Sequence, residues 1–139
     1  MVKWPDSANP VLLRTDFSDD AAWGSLCELA QAPNEESFQA NVDCVNDRSF
    51  DGMAVKQVVD LAQKGSSHSF GFLADRLTMT DHERPVLVVD LSQEPGRTFR
   101  VIPGQMWGVE NNLSLANMEF SEFADNVDPD GVFRGFPKS

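Results

Sequence analysis

Acidic side chains follow two of the strands that the sequence predicts. Asp16 comes directly after the apolar run at residues 11–15, and Asp75 comes directly after residues 69–74. The carboxyl ends of parallel strands lie at one edge of a sheet, where open α/β proteins bind ligands, so we expect these carboxylates to be neighbours. Neighbouring carboxylates can bind Mg²⁺ or shift one another's pKa for acid–base catalysis. The structural alternative is that Asp16 satisfies N–H groups of the following helix and that Asp75 forms a turn.

A second candidate is the segment at residues 107–117, which combines an aromatic residue with several hydrogen-bonding side chains. The strand before it should run parallel to the strand before Asp75, so the segment should start at the same edge of the sheet. We expect Glu110, Asn111 and Asn112 to face that edge and Trp107 to form the wall of a pocket. The alternative is an irregular loop whose amide side chains bond to its own backbone.

The segment at residues 126–137 superficially resembles an EF-hand calcium loop, because Asp128 and Asp130 stand at ligand spacing before a glycine. The segment lacks ligands that a calcium-binding loop needs. The first position is an asparagine, and the twelfth is Pro137 where a bidentate glutamate is needed. A β-turn with Pro129 at its second position explains the segment better. The sequence therefore predicts no metal site here.

Other catalytic or cofactor-binding patterns are missing from the sequence. His68 and His82 are isolated in polar contexts, which is typical of neither a zinc site nor a general base. There is no glycine-rich phosphate loop, no nucleophile elbow, and no cysteine with a histidine nearby in the sequence. We therefore predict no cofactor.

The hydrophobic pattern supplies the elements that must position these residues. Apolar or alternating runs predict five strands, at residues 11–15, 38–45, 69–74, 85–91 and 97–102. Stripes at helical spacing predict three helices, with core faces that include Trp23, Leu26 and Cys27, then Val55, Val58 and Val59, then Phe120, Phe123 and Ala124. The order β-α-β-α-β-β-β-α predicts one α/β domain at residues 11–139, bordering on α+β, with helices packed on a mixed five-stranded sheet. Residues 1–10 are predicted to form an N-terminal arm.

The net charge of the chain disfavours some classes of binding partner. Eleven basic residues against 22 acidic ones give a net charge of −11. A surface of this charge repels nucleic-acid phosphates and anionic membranes, so we expect neither as a partner. Basic proteins, cations and neutral small molecules remain compatible with it. The sequence leaves the oligomeric state open.

Cys27 and Cys44 are the only cysteines, one on a predicted helical stripe and the other in a predicted strand. Two reduced thiols in the core are the favoured interpretation, and a single disulfide is the alternative. The first residues lack the apolar segment of a signal peptide, and no apolar run reaches the ~20 residues of a membrane span. We therefore expect a cytoplasmic location.

Three long segments of the sequence are similar to segments of a known protein family. They are VLLRTDFSDDAAW (11–23), the stretch from RPVLVVDLSQEPG to SEFA (84–124), and DPDGVFRGF (128–136). They resemble an uncharacterised family of small, mainly actinobacterial proteins that is classed as a domain of unknown function. The likeness covers nearly the whole chain outside the N-terminal arm and residues 34–48. It implies a stand-alone single domain, and it implies no activity, cofactor or catalytic residue.

Two classes of function fit these features. The composition favours a non-enzymatic binding module for a basic protein partner or a small ligand. The alternative is a small-molecule hydrolase, lyase or isomerase that works through Asp16, Asp75 and Glu110. A deep pocket lined by Trp107, with a carboxylate of raised pKa, would favour the enzyme, and a shallow acidic surface would favour the binding module.

Overall fold

The computed structural model describes residues 2–136, so Pro137 of the calcium-like segment lies outside the described residues. Within this range the strands are β1 (Val11–Arg14), β2 (Asp43–Val45), β3 (Phe70–Ala74), β4 (Val86–Asp90), β5 (Thr98–Val101) and β6 (Val132–Phe133). The α-helices in the same range are α1 (Asp20–Gln31), α2 (Val55–Gly65), α3 (Arg76–Thr80), α4 (Met106–Ser114) and α5 (Phe120–Ala124). Short 3₁₀ turns occur at Arg48–Phe50 and Pro103–Gln105.

The strands form one mixed sheet in the order β2-β1-β3-β4-β5-β6. β1 is parallel to both β2 and β3, β4 is antiparallel to β3 and β5, and β6 is parallel to β5. β1, β3 and β5 therefore point the same way, as the sequence predicted. The single-domain mixed α/β architecture is confirmed, but the sheet has a sixth strand. The two residues of β6 are too few to show a strand pattern in the sequence.

The helices that connect the parallel strands cover opposite faces of the sheet. The chain passes through α1 to reach β2 on one side of β1, and returns through α2 to reach β3 on the other side. Right-handed crossovers in opposite directions place their helices on different faces. One core lies under α1, α4 and α5, and the other lies under α2 and Trp4. β1 and β3 are consequently buried at every position.

The core faces predicted for the helices are confirmed. The residues expected to be inaccessible are all buried: Trp23, Val58, Val59, Phe120 and Phe123. Phe123 lies at the centre of an aromatic cluster, with its ring centroid 5.2 Å from that of Phe133, 5.6 Å from that of Phe136 and 6.1 Å from that of Phe99. This cluster fixes α5 on β5 and β6.

The predicted strand at residues 38–45 is shorter than the sequence indicated, since only Asp43–Val45 pair with β1. The backbone before it is held by a side chain instead of by a strand, because Asn41 N donates to Glu110 Oε1 over 2.6 Å. Tertiary contact thus overrides the alternating pattern, which is only a weak predictor of strands.

The N-terminal residues have no regular secondary structure, but one of them is anchored in the core. Trp4 is buried, and its indole Nε1 donates to His68 Nδ1 over 2.8 Å. The other ring nitrogen, Nε2, lies 2.8 Å from Ser7 O. The Trp4 ring also lies over Gly71, where an added Cβ would come within 3.6 Å of it. His68 and Trp4 together hold this segment on the second face of the sheet.

Candidate functional site

The two strand-end aspartates lie at the same edge of the sheet, as the strand directions predict. Thr15 N donates to Ala74 O over 3.0 Å, which ties the carboxyl ends of β1 and β3 together. Asp16 and Asp75 are the residues that follow. This carboxyl edge is where open α/β sheets bind ligands.

Asp75 is fully occupied by structural partners. Its Oδ2 and Oδ1 accept from Arg100 Nη2 and Nη1 over 2.6 and 3.0 Å, and Oδ1 also accepts from Thr78 N at the start of α3. Burial alone would raise the pKa of Asp75, but hydrogen bonds and the positive charge of Arg100 lower it below its ordinary value. Asp75 is therefore suited to holding a turn and an ion pair, and is poorly suited to acid–base chemistry at neutral pH.

The carboxylate of Asp16 uses less of its hydrogen-bonding capacity than that of Asp75. Its Oδ1 accepts from Ser18 N over 3.0 Å, and its carbonyl oxygen accepts from Arg14 Nε over 3.0 Å. Its Oδ2 is buried and accepts no hydrogen bond from any residue between 2 and 136. Such an oxygen has unused capacity for a donor such as water or a ligand.

The prediction that Glu110, Asn111 and Asn112 share this edge is wrong. Asn111 and Glu110 line a cavity of about 260 Å³ together with Pro10, the residue just before β1, so they lie at the amino edge. The reason is that residues 106–114 form helix α4, which the sequence did not predict. Nine residues at ~1.5 Å each carry the chain back across the sheet, away from the end of β5.

Glu110 has an architectural role at the amino edge. Its side chain is buried, with the residue only 3% exposed. It accepts from Asn41 N over 2.6 Å, from Ser114 Oγ over 2.6 Å and from Asn111 Nδ2 over 3.1 Å. These bonds join α4 to the segment before β2, and they leave little capacity to act on a substrate.

The other two predicted residues of this segment also make internal contacts. Asn112 Nδ2 donates to Gly108 O over 2.8 Å, so this amide bonds to its own backbone as the alternative interpretation proposed. The Trp107 ring stacks on Phe38, with centroids 4.9 Å apart and an angle of 11° between the planes. Trp107 therefore packs against a loop and does not join the strand-end aspartates.

A different group of side chains surrounds a cavity at the carboxyl edge, beside β1 and β2. The cavity has a volume of about 310 Å³ and is lined by Arg14, Phe17, Asp20, Trp23, Asn46 and Arg48, which we name the Arg14 pocket. The carboxyl ends of two parallel strands and the start of α1 supply these residues. The volume is at the lower end of the range for small-molecule sites.

Arg14 is the buried centre of this pocket. Its side chain is 2% exposed, whereas that of its ion-pair partner Asp20, 2.7 Å away, is 87% exposed. Its Nη1 donates to Asn46 Oδ1 over 3.3 Å, and its Nε donates to the carbonyl of Asp16. A guanidinium has five N–H donors, so one on each Nη remains after these three bonds.

The Phe17 ring brings a second guanidinium into the pocket. Arg14 Cζ lies 4.3 Å from the ring centroid and Arg48 Cζ lies 5.1 Å from it. Arg14 is also 5.7 Å from the ring of Trp23. Arg48 is exposed and makes no ion pair with any residue in the described range. The cation–π contact of Arg48 with Phe17 contributes ~0.5–1 kcal/mol at an exposed site.

The sequence analysis predicted Trp23 as a core residue, and it did not predict Arg14, Phe17, Asn46 or Arg48 as site residues. One signal was available, because a charged residue inside the apolar run at residues 11–15 must find partners if the strand is buried. The contacts of Phe17 with Arg48 carry no such signal, since only the fold brings these residues together.

Arg134 forms ion pairs with acidic residues from two loops. Arg134 pairs with Glu83, Asp128 and Asp130 at distances of 2.7–2.8 Å. The predicted β-turn is confirmed by the hydrogen bond from Gly131 N to Asp128 O, which is 2.8 Å long.

Glu83 also lies with Asp81 and His82 in a group whose potential metal-ligand atoms are within 4.8 Å of one another. The ion pairs with Arg134 already use the Glu83 carboxylate, so this group is a weak metal site.

One comparison with known proteins identifies a family for this chain. The family described as a domain of unknown function (DUF6924) matches residues 9–136, so the chain belongs to that family. No curated protein matches the chain. Among residues 2–136, none of the helices has the length and apolar character needed to cross a membrane.

Proposed function

We propose that this protein is a non-enzymatic binding module whose ligand is a small molecule with a carboxylate or phosphate group. The ligand would bind in the Arg14 pocket. The observation that carries this proposal is the meeting of two guanidinium groups on one aromatic ring, Phe17, in an open cavity. These two positive charges can attract an anion locally, although the net charge of the chain is −11.

Arg14 provides the fixed part of the anion site. Its remaining N–H donors, one on each Nη, match the two oxygens of a carboxylate or phosphate. Its present counter-ion, Asp20, is almost fully exposed, so that carboxylate can turn into solvent with little loss of burial when an anion arrives. The arriving anion would replace Asp20 as the counter-charge of the buried Arg14, so the guanidinium is not left unpaired.

Arg48 provides the second, adjustable contact. It has no carboxylate partner within residues 2–136, so its charge is available to a ligand without breaking an existing pair. Its guanidinium lies against Phe17 on a flexible stem at the surface. It would close over an anion already bound to Arg14.

The remaining walls of the pocket include two aromatic rings that can contact a planar group next to the anion. Trp23 and Phe17 supply aromatic surface, and Asn46 supplies an amide that can turn between Arg14 and a ligand. Aromatic faces stack well on planar rings at ~0.5–1.5 kcal/mol beyond their burial. An aromatic carboxylate or an aryl phosphate is therefore the best simple probe.

The enzymatic alternative has less support. Asp75 and Glu110, two of the three carboxylates on which it relied, are engaged at opposite edges of the sheet. The carboxylates whose pKa departs from its ordinary value all shift downward, and they are Asp47, Asp75, Glu83 and Asp130. A general acid at neutral pH needs the opposite shift.

A basic protein partner is the second candidate, and the acidic surface supports it. Association steered by a charge of −11 slows steeply as salt is added. The Arg14 pocket would not take part in such binding, so the two proposals are separable by the variants described below.

Calorimetric titration with phenyl phosphate and benzoate tests the proposal. We expect one site per chain, with affinity in the range of about 10 μM to 1 mM that a small, open pocket supports. Arg48→Gln should weaken binding by roughly tenfold, because one charged contact is lost. Phenol, which has the ring without the charge, should bind far more weakly.

Lys56→Gln is the matched control. Lys56 is exposed on α2, away from the pocket, and its replacement removes the same charge. It should leave the affinity for phenyl phosphate unchanged. Equal loss of affinity in the two variants would show that only the overall field attracts the anion, and absence of binding by every anionic probe would contradict the proposal.

A further inference from the structure

The imidazole of His68 lies between two groups that fix the role of each of its ring nitrogens. Trp4 Nε1 lies 2.8 Å from His68 Nδ1, and an indole N–H can only donate, so Nδ1 must be the acceptor. His68 Nε2 lies 2.8 Å from Ser7 O, and a carbonyl oxygen can only accept, so Nε2 must carry a hydrogen. His68 is therefore held as the neutral tautomer with its hydrogen on Nε2.

Protonation of His68 removes the acceptor that Trp4 uses. An imidazolium carries a hydrogen on both ring nitrogens, so Nδ1 would present a donor to the indole donor. Trp4 is only 8% exposed, so its N–H would then be buried without an acceptor, which is costly. The bond to Ser7 O survives, because Nε2 keeps its hydrogen. The charge of His68 thus acts on Trp4 and spares Ser7.

The residues on either side of Trp4 have few other attachments, whereas those from Ser7 onward are held separately. Within the described range, the bond from Trp4 to His68 is the one hydrogen bond that joins residues 2–6 to the rest of the chain. Ser7 Oγ donates to Asp43 Oδ2, and Pro10 O accepts from Asp43 N over 3.0 Å. Residues 2–6 can therefore leave the sheet while residues 7–10 stay beside β2.

The indole of Trp4 fills a space that β3 leaves open. Gly71 has no side chain, and an added Cβ there would come within 3.6 Å of the Trp4 ring and 3.9 Å of Leu91. Trp4 and Leu91 both belong to the core under α2. Release of Trp4 would therefore expose apolar surface on this face of the sheet.

We propose that His68 and Trp4 form a pH-dependent latch, which holds residues 2–6 on the sheet at neutral pH and releases them in mild acid. The docked segment requires a neutral His68, whereas the released segment leaves His68 free to take a proton. The released state therefore binds more protons, so its population grows as the pH falls. Histidine is the side chain whose charge ordinarily changes between about pH 5 and 8, so the latch would open in that range.

One charged side chain faces His68 across the two cavities that border it, and this is Asp6. The other elements around these cavities contribute uncharged residues, which are Gly65, Ser66 and Ser67 at the end of α2, Ser69 and Phe70 at the start of β3, and Ser114 at the end of α4. Asp6 is exposed, so solvent screens its attraction for a charged His68. The buried indole N–H of Trp4 therefore decides the balance.

The test follows the indole N–H signal of Trp4 by NMR of the full chain between about pH 7.5 and pH 5, with Trp4→Phe to assign the signal. Loss of a buried hydrogen bond should lower the protection of this N–H from solvent exchange at least about tenfold at the acidic end, after correction for the intrinsic effect of pH. The indole signals of Trp23 and Trp107 should stay in place. Return to neutral pH should restore the original spectrum.

The tautomer of His68 is a second, independent measurement on the wild-type chain. Long-range NMR correlations between the ring nitrogens and the ring carbon-bound protons distinguish the two neutral tautomers from the charged ring. We expect the Nε2–H tautomer at neutral pH. An Nδ1–H tautomer there would overturn the proposal, because the indole of Trp4 would have no acceptor to lose.

Three variants separate His68 from the other titrating groups. His68→Gln should have no pH response, because the amide that replaces the ring does not gain a proton in this range. His82→Gln is the matched control, since the His82 side chain is 92% exposed, and it should respond like wild type. Asp6→Asn should also keep the response, because the latch does not depend on this carboxylate.

Three further outcomes would contradict the latch. The first is a Trp4 indole that stays protected in the wild-type chain at the acidic end of the titration. The second is a pH response that persists in folded His68→Gln, which would assign the response to another group. The third is simultaneous loss of the Trp23 signal, which would mean that the whole domain unfolds and that residues 2–6 are not released separately.

Discussion

Asp75 and Arg100 form a bidentate ion pair across the start of β4. The distance from Oδ2 to Nη2 is 2.6 Å, and the distance from Oδ1 to Nη1 is 3.0 Å. The pair links the end of β3 to β5. Arg100 Nη1 also donates to Pro85 O over 3.0 Å, so three neighbouring strands are joined at the carboxyl edge.

We predict that this ion pair stabilises the fold at neutral pH and loses its effect in acid. The folded-state pKa of Asp75 is lowered, so its contribution is present above the unfolded pKa of about 3.9 and disappears as the pH falls through the folded value. Asp75→Asn should cost roughly 1–3 kcal/mol at pH 7 in urea unfolding. The difference from wild type should shrink below about pH 4. A cost that is the same at pH 7 and pH 2.5 would contradict this account.

The aromatic cluster around Phe123 should dominate the stability of α5. Phe123 is buried against Phe99, Phe133 and Phe136, so Phe123→Ala should cost about 3–5 kcal/mol in urea unfolding. Leu115→Ala is the control, because this leucine is exposed and its loss should stay within ~0.5 kcal/mol. A cost under about 1 kcal/mol for Phe123→Ala would mean that α5 is not packed on the sheet in this way.

Glu110 is predicted to act as a structural anchor and to have no part in ligand binding. Glu110→Ala leaves the Asn41 N–H without its acceptor, so the exchange of that amide with solvent should accelerate, and stability should fall by about 1–3 kcal/mol. Hydrogen exchange followed by NMR measures this directly. Affinity for phenyl phosphate should stay unchanged in the folded variant, and a loss of binding there would move the site to the amino edge.

The calcium-like segment should not bind calcium tightly. Asp128 and Asp130 are paired with Arg134, and the segment lacks the bidentate glutamate of a calcium loop. Calorimetry with the wild-type chain should detect no sub-micromolar binding. Tight binding that disappears in Asp128→Ala would show that calcium displaces the arginine.

The sequence predicted the parts of the fold whose signals are local. The stripes of α1 and α2 and the apolar runs of β1, β3 and β4 follow hydrophobic periodicity, and the shared direction of β1, β3 and β5 follows from right-handed crossovers. The unpredicted helix α4 contains Gly108, Asn111 and Asn112, which are weak helix formers. Its helical state is supported by burial of Met106 and Val109, a tertiary effect that the pattern does not reveal.

The sequence predicted which edge of the sheet holds Asp16 and Asp75, and the binding role of these residues stays a prediction. The carboxyl edge was correct for Asp16, and the error for Asn111 arose because a missed helix reverses the direction of the chain. The Arg14 pocket depends on contacts between residues from β1, the 3₁₀ turn after β2 and the start of α1. Only the assembled sheet brings these residues together.

The most direct test of the central claim is to map phenyl phosphate binding by amide NMR. The proposal predicts saturable shifts centred on the backbone amides of Phe17, Asp20, Asn46 and Arg48, with the indole signal of Trp23 moving and those of Trp4 and Trp107 unchanged. The signals should move far less in Arg48→Gln at the same ligand concentration. Shifts centred instead on Asn9, Asn41 and Asn111 at the amino edge, or no saturable shifts at all, would contradict it.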